Sequence, residues 1–158
     1  PGCRQDAAAV ELAAPDGLAV AGLGHLPANL HLIVEVHPQP ATAEFGLCLR
    51  GADRFAEGNL LRIEPYRQRV CWSSPAAASV SAFRSTGVEE EERAAIHAVT
   101  GLDRPFRLEL IALGDILDLC IDGRRTLVNR VPDPAGDQLY LYCHNGQVTF
   151  DALEVRSL

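Results

Sequence analysis

Seven residues of this chain carry side chains suited to holding a ligand rich in hydroxyl groups: Arg50, Glu57, Trp72, Asp118, Arg130, Tyr142 and His144. A hydroxyl both donates and accepts, so a hydroxyl-bearing ring is gripped by guanidinium, carboxylate and amide groups, while an aromatic face covers its C–H side. Arg50, Asp118 and Arg130 fall at outward positions of three separate strand-like runs, and Tyr140, Tyr142 and His144 at outward positions of a fourth. If the three charged residues share one sheet, they line a shallow pocket. Each residue also has a plainer role open to it. Arg50 and Arg130 suit cross-strand ion pairs with Glu44, Asp118 or Asp122, worth about 0–1 kcal/mol at a surface. Trp72 shares the parity of Val70, which favours core packing over a stacking platform, and Tyr140 and Tyr142 equally suit a contact with a neighbouring domain.

Catalysis finds less support. Cleaving a glycoside needs two carboxylates on opposite sides of the scissile bond, and no spacing among the 21 acidic residues picks out a pair. No Gly-rich loop follows a strand and no Ser sits in a GxSxG elbow. No metal or cofactor is expected, since CxxC is absent and the adjacent Cys143 and His144 point to opposite faces of a strand. His31 and His37 lie on the polar side of one strand, in structural positions. The net charge of -7 argues against nucleic acid and against anionic membranes, because both select for positive surfaces. No apolar run reaches the roughly 20 residues that span a bilayer. Cys48, Cys71, Cys120 and Cys143 lie in strands, where Cys acts as a small buried hydrophobe. With Cys3 the total is an odd five, which weakens a disulfide framework and favours free thiols and a reducing compartment, although a cytoplasmic and a secreted location both stay open.

The elements that position these residues are strands. Phe106, Leu108, Leu110 and Ala112 alternate with polar neighbours up to a turn at Gly114-Asp115. Leu117, Leu119 and Ile121 then face in, with Asp118, Cys120 and Asp122 facing out, and Asp122-Gly123 closes a hairpin. Leu139, Leu141 and Cys143 form the next strand, Asn145-Gly146 is read as its turn, and Val148, Phe150, Leu153 and Val155 carry the last one. Upstream, Leu30, Leu32, Val34 and Val36 alternate until Pro38. Phe45, Leu47 and Leu49 face in and Glu44, Cys48 and Arg50 out. Leu60–Glu64 and Arg69–Ser73 make a hairpin around Pro65-Tyr66. The Ala-rich start, Arg4–Gly24, is ambiguous between helix and strand, with Pro15-Asp16-Gly17 as a turn. Ser74–Arg93 is the least patterned stretch, its Glu89–Glu92 run reads as a solvated surface, and Ala94–Thr100 is one further short strand. About ten strands with turns every 8–12 residues or so predict an all-β fold, a two-sheet antiparallel β-sandwich of concanavalin or lectin-like jelly-roll type. At 158 residues this is one module spanning 1–158. A start at Pro1-Gly2-Cys3 without Met is read as a piece of something larger.

The runs EFGLCLR, LLRIEPYRQRVCW, FRLELIALGDILDLCIDGRRTLVNRV and the closing NGQVTFDALEVRSL resemble the C-terminal β-sandwich of glycoside hydrolase family 32, the invertases, inulinases and levanases. The same sandwich occurs as carbohydrate-binding module family 66. The features that carry the resemblance are Asp118 in mid-strand, the Asp122-Gly123 turn and Arg130-Val131-Pro132, and it covers roughly Leu30 to Leu158. The strings of that family's catalytic propeller (Asn-Asp-Pro-Asn, Arg-Asp-Pro and an acid/base Glu before Cys) do not occur, and Asp133-Pro134 follows Pro132 instead of Arg. The resemblance therefore implies a non-catalytic carbohydrate-binding module for the fructose units of fructans or sucrose-type sugars. Its implied partners are that carbohydrate and an N-terminal catalytic propeller of the same chain, with ligand contacts at the acidic and Arg positions. A purely structural sandwich supporting the propeller, and a stand-alone hydrolase of another sandwich family, are the alternatives.

Overall fold

The computed structural model describes residues 4–6, 8–75, 94–131 and 134–158. Cys3, the Glu89–Glu92 run with most of the unpatterned stretch around it, and Pro132-Asp133 lie outside the described residues. The strands are β1 (Arg4–Asp6), β2 (Val10–His25), β3 (Leu30–Pro38), β4 (Glu44–Ala52), β5 (Glu57–Glu64), β6 (Arg69–Ser73), β7 (Ala94–Ile96), β8 (Phe106–Leu113), β9 (Ile116–Ile121), β10 (Arg125–Arg130) and β11 (Gln138–Ser157). They hydrogen-bond in the order β10-β9-β8-β3-β11-β4-β5-β6-β7, with β1 and β2 also on β11, and the pairings are antiparallel.

One long strand makes two layers out of this path. The first half of β11 pairs with β4, from Gln138 opposite Gly51 to His144 opposite Glu44. Its second half pairs with β3, from Val148 opposite Pro38 to Ser157 opposite Leu30. β2 follows the other side of both halves. One layer is therefore β10-β9-β8-β3 with the end of β11, and the other is the start of β11 with β4-β5-β6-β7. Leu32, Val34, Val36, Leu108, Leu110 and Phe150 from the first layer meet Phe45, Leu47, Ile63, Val70 and Leu141 from the second in one buried cluster. The Phe45 and Phe106 rings, one from each layer, lie 6.2 Å apart. Burying each such side chain contributes about 1.5–3 kcal/mol.

Two sequence expectations need correcting, and they fail together. Asn145-Gly146 and Pro15-Asp16-Gly17 are not hairpin turns: β11 and β2 run straight through them. The register between the two strands shifts between His144 and Gly146, Asn145 and Gly17 both have positive φ (48° and 129°), and the Gly17 N–H donates to Asn145 Oδ1 at 2.8 Å. The turn-type residues make paired bulges, which let two adjacent strands bend from one sheet into the other. A second bulge at Ala152, φ 48°, shifts the β3 register between Asp151 and Glu154, and so Phe150 and Leu153 both face the core.

The outward face of the second layer is also buried. Cys48, Leu60, Tyr140 and Tyr142 form a second apolar cluster with Phe55, whose ring lies 5.8 Å from Tyr140 and 5.7 Å from Tyr142. Tyr142 is therefore interior and not a surface contact. Trp72 is 0 % exposed within the main core, and its indole N–H finds no acceptor among the described residues, so it acts as apolar filler and not as a stacking platform. Trp72→Ala is expected to lower stability by about 3–5 kcal/mol, measured by urea unfolding followed by far-UV circular dichroism. A loss below about 1 kcal/mol, the size typical of a surface substitution, contradicts this placement.

Candidate functional site

The outward face of the second layer carries a ladder of charges. Neighbouring strands place His144, Glu44, Glu64 and Arg69 in one row, and Tyr142, Gly46, Arg62 and Cys71 in the next. Glu44 and Glu64 are like charges on paired strands, and Arg62 bridges them. Its Nε and Nη2 donate to the two Glu44 oxygens at 3.1 and 2.8 Å, and Nη2 reaches Glu64 Oε1 at 3.5 Å. Arg69 holds Glu64 Oε2 through Nε at 2.6 Å, Arg67 Nη1 approaches Glu64 Oε1 at 3.5 Å, and the Tyr142 hydroxyl donates to Glu44 Oε1 at 3.0 Å. Gly46 makes room for this: a Cβ there would lie 1.9 Å from the Leu61 carbonyl oxygen and 3.2 Å from the Tyr142 ring. Glu44, Arg62, Glu64, Arg69 and His144 are all buried. Burying charge costs several kcal/mol per ion before pairing, and the guanidinium–carboxylate bonds of the ladder offset that cost.

The ladder opens at one end of the sandwich. A hollow of about 230 Å³ is lined by Ala43, Glu44, Glu64, Tyr66, Arg67, His144 and Asn145, and a neighbouring one of about 310 Å³ lies on the other side of Tyr66, against Thr42, Pro65 and Asp103. Tyr66 sits at the tip of the β5–β6 turn, where Gln68 in the left-handed region (φ 48°) closes the chain back on itself, and it is 74 % exposed. The turn is tethered by Gln68 N donating to Pro65 O at 3.0 Å. Thr42, beside it, donates to the Gln39 and Gln147 carbonyls and accepts from Gln147 N, which clasps the β3–β4 loop to the bulge in β11. An exposed aromatic residue therefore shares one hollow with two carboxylates, a guanidinium, an imidazole and an amide.

The structure distributes the seven candidate residues over several places. His144 lines the hollow beside Tyr66, and Tyr142 supports it from beneath. Arg50, Asp118 and Arg130 do not share one sheet face. Arg50 belongs to the second layer and its Nη2 reaches across to the Gly114 and Ala28 carbonyls at 2.6 and 3.1 Å. Arg130 stands near it through Asp115, Nε to Oδ2 3.5 Å. Asp118 points outward from β9, paired with Val128 on β10 and Ile111 on β8, and lines none of these hollows. Glu57 borders a separate shallow hollow with Asn59, Ser74 and Ala135. Sequence reasoning missed Tyr66, Glu64, Arg67 and Arg62. Tyr66 was findable, since an aromatic at the tip of a tight Pro-Tyr turn has no core to enter.

Burial acts on the thiols and the phenol of this layer. Desolvation pushes the Cys48 thiol up to about 12 and Cys143 to about 11, and burial followed by the Glu44 charge raises Tyr142 well above the ordinary phenol range. The folded state thus keeps protons that the unfolded chain releases from about pH 9 upward. Stability is at its full value below that pH and falls as pH rises toward about 12. With no Lys in the chain, no lysine titration overlaps the effect. Urea midpoints at about pH 8 and about pH 10.5 should differ by a clear drop, partly removed by Cys48→Ala; a flat profile contradicts the burial of these groups.

No family model and no curated protein sequence matches the chain. Solved structures match its fold. A carbohydrate binding module, CBM66 from Bacillus subtilis, superposes with a TM-score of 0.71 at 11 % identity, covering 98 % of this chain and 95 % of that one. A β-fructofuranosidase from Aspergillus kawachii gives 0.69 at 14 % identity, and this chain, 98 % covered, spans 27 % of the enzyme. Galectin LEC-6 of Caenorhabditis elegans gives 0.53 at 16 % identity, over 89 % of this chain and 95 % of the galectin. The chain has the sandwich fold that the sequence resemblance implied, shared with CBM66 and with part of the β-fructofuranosidase.

Proposed function

We propose that this chain is a non-catalytic carbohydrate-binding module that recognises terminal fructose units of fructans or sucrose-type sugars, as part of a protein of the glycoside hydrolase family 32 type. The observation that carries this reading is the exposed Tyr66 lining one hollow together with Glu44, Glu64, Arg67, His144 and Asn145. A furanose has an apolar C–H side for the ring and a fan of hydroxyls for the charged groups, and a hollow of this size takes one terminal sugar rather than a chain. The whole-length likeness to a carbohydrate binding module supports the reading. Both carboxylates at the hollow are held by guanidinium partners, which fixes them as hydrogen-bond acceptors for sugar hydroxyls.

A structural role beside a catalytic domain is the second reading. It draws on the exposed Ile111, Leu113, Ile116 and Val128 on the outer face of β8–β10, an apolar patch of the kind that marks a protein contact.

Affinity electrophoresis and calorimetry of the chain against levan, inulin, sucrose and unrelated glucans distinguish the two. Binding to fructans without calcium, weakened about tenfold (about 1.4 kcal/mol) by Tyr66→Ala with unchanged thermal stability, is the expected outcome. Absence of binding to every sugar, with Tyr66→Ala inert, overturns the proposal in favour of the structural role.

A further inference from the structure

We infer that the opposite end of the sandwich holds a second saccharide site, organised by Arg50. β4 runs from Glu44 at the Tyr66 end to Arg50, six residues on, so the two ends lie about 20 Å apart at roughly 3.3 Å per residue. A hollow of about 370 Å³ opens there between the β2–β3 turn, the β8–β9 turn and the connection leading into β11. Its walls are apolar, from Leu26, Pro27, Leu30, Leu49, Val131 and Pro134, and its polar groups are Asn29, Arg50, Asp115 and Asp137.

The site is pre-formed. Leu26 N donates to Asp137 O at 2.7 Å, Gly136 N to Arg50 O at 3.1 Å and Val131 N to Asp115 O at 2.6 Å, while Gly114 N donates to Asn29 Oδ1 at 3.0 Å. Gly136 is needed for the closure, because a Cβ there would lie 2.3 Å from the Gly51 carbonyl oxygen. Arg50 itself holds a left-handed backbone, φ 52°, a strained state for a residue with a side chain and one that concentrates at ligand sites. The strain lies at the bulge where the β4–β5 register shifts after Leu49, and it aims the guanidinium into the hollow. Nη2 makes both carbonyl bonds, to groups on two of the turns that border the hollow.

Charge decides the ligand class. Arg50 is the cation within the hollow, against two carboxylates, Asp115 and Asp137; His25 (Nδ1 to Asp137 Oδ1 2.8 Å) and Arg130 stand behind those carboxylates at the rim. An anionic ligand would meet two negative groups. A neutral polyhydroxylated ring satisfies all three at once, donating to the carboxylates, accepting from the guanidinium and laying its C–H face on the proline and leucine wall. This assignment is independent of sugar binding beside Tyr66.

The test is a 15N–1H titration of the chain with kestose, maltotriose and cellotriose as neutral probes and galacturonate as an anionic one. At least one neutral trisaccharide is expected to shift the amides of Asn29, Gly114 and Asp137, with galacturonate silent at the same concentrations. Arg50→Met is expected to weaken that response at least tenfold and to leave any response of Tyr66 and Asn145 unchanged. If Arg50→Met perturbs the spectrum as a whole, Asp137→Ala, at an exposed position, takes its place with the same expected loss. Shifts confined to Tyr66 and Asn145 overturn this inference and support the first site. Shifts confined to Asn29, Gly114 and Asp137 do the reverse. Silence at both ends, stronger binding of galacturonate, or a response indifferent to both substitutions also overturns it.

Discussion

The crossing of β2 and β11 is the constraint on which the rest of the molecule depends. A strand of 20 residues cannot stay in one flat layer of a small sandwich, and β11 resolves this by serving both sheets, bending where Asn145 and Gly17 face each other. The bend costs two left-handed residues and is held by one side-chain hydrogen bond, Gly17 N–H to Asn145 Oδ1, and by the β3–β4 loop, whose Ala43 N donates to the Asn145 carbonyl at 3.0 Å. The same bend places His144 and Asn145 at the mouth of the hollow beneath Tyr66. The hinge between the sheets and the proposed sugar site are built from the same residues.

The charged ladder gives the second layer its character. A sandwich normally leaves the outer face of each sheet polar and wet, but here Glu44, Arg62, Glu64 and Arg69 are withdrawn from water and paired with one another. Bidentate geometry and fixed donors preorganise these groups, so a ligand that meets them at the open end loses little ordering entropy. Gly46 is the local concession that admits the Leu61 carbonyl and the Tyr142 ring beside it. On the first layer the outward charges also pair, His31 with Glu109 and Arg156 with Glu154, but they stay partly open to water beside the apolar side chains of β8–β10.

Much of this was legible in the sequence, for a reason that particular residues make plain. Period-2 alternation identified β3, β8 and β9 residue by residue, because each has one face in the core and one toward solvent. The β5–β6 hairpin at Pro65-Tyr66 was legible from its turn chemistry. The parity rule equates outward with exposed, and it failed where a face is buried on both sides: Tyr142 and Glu44 point outward and are still interior. Turn chemistry failed at Asn145-Gly146 and Pro15-Asp16-Gly17, since a bulge inside a long strand and a hairpin use the same left-handed residues. Only the pairing partner distinguishes them, and that partner lies more than a hundred residues away. The expected grouping of Arg50, Asp118 and Arg130 assumed one sheet, whereas the fold puts Arg50 in the other layer and leaves Asp118 on the outside of β9 between Ile111 and Val128.

Co-crystallisation of the chain with kestose tests the central claim most directly, that sugar recognition is built on the bend of β11 and on the turn bearing Tyr66. The account predicts a terminal fructose with its ring against Tyr66 and its hydroxyls within hydrogen-bond distance of Glu64, Arg67 and His144. A sugar seated instead on the outer face of β9 at Asp118, with the Tyr66 hollow filled only by water, would contradict it.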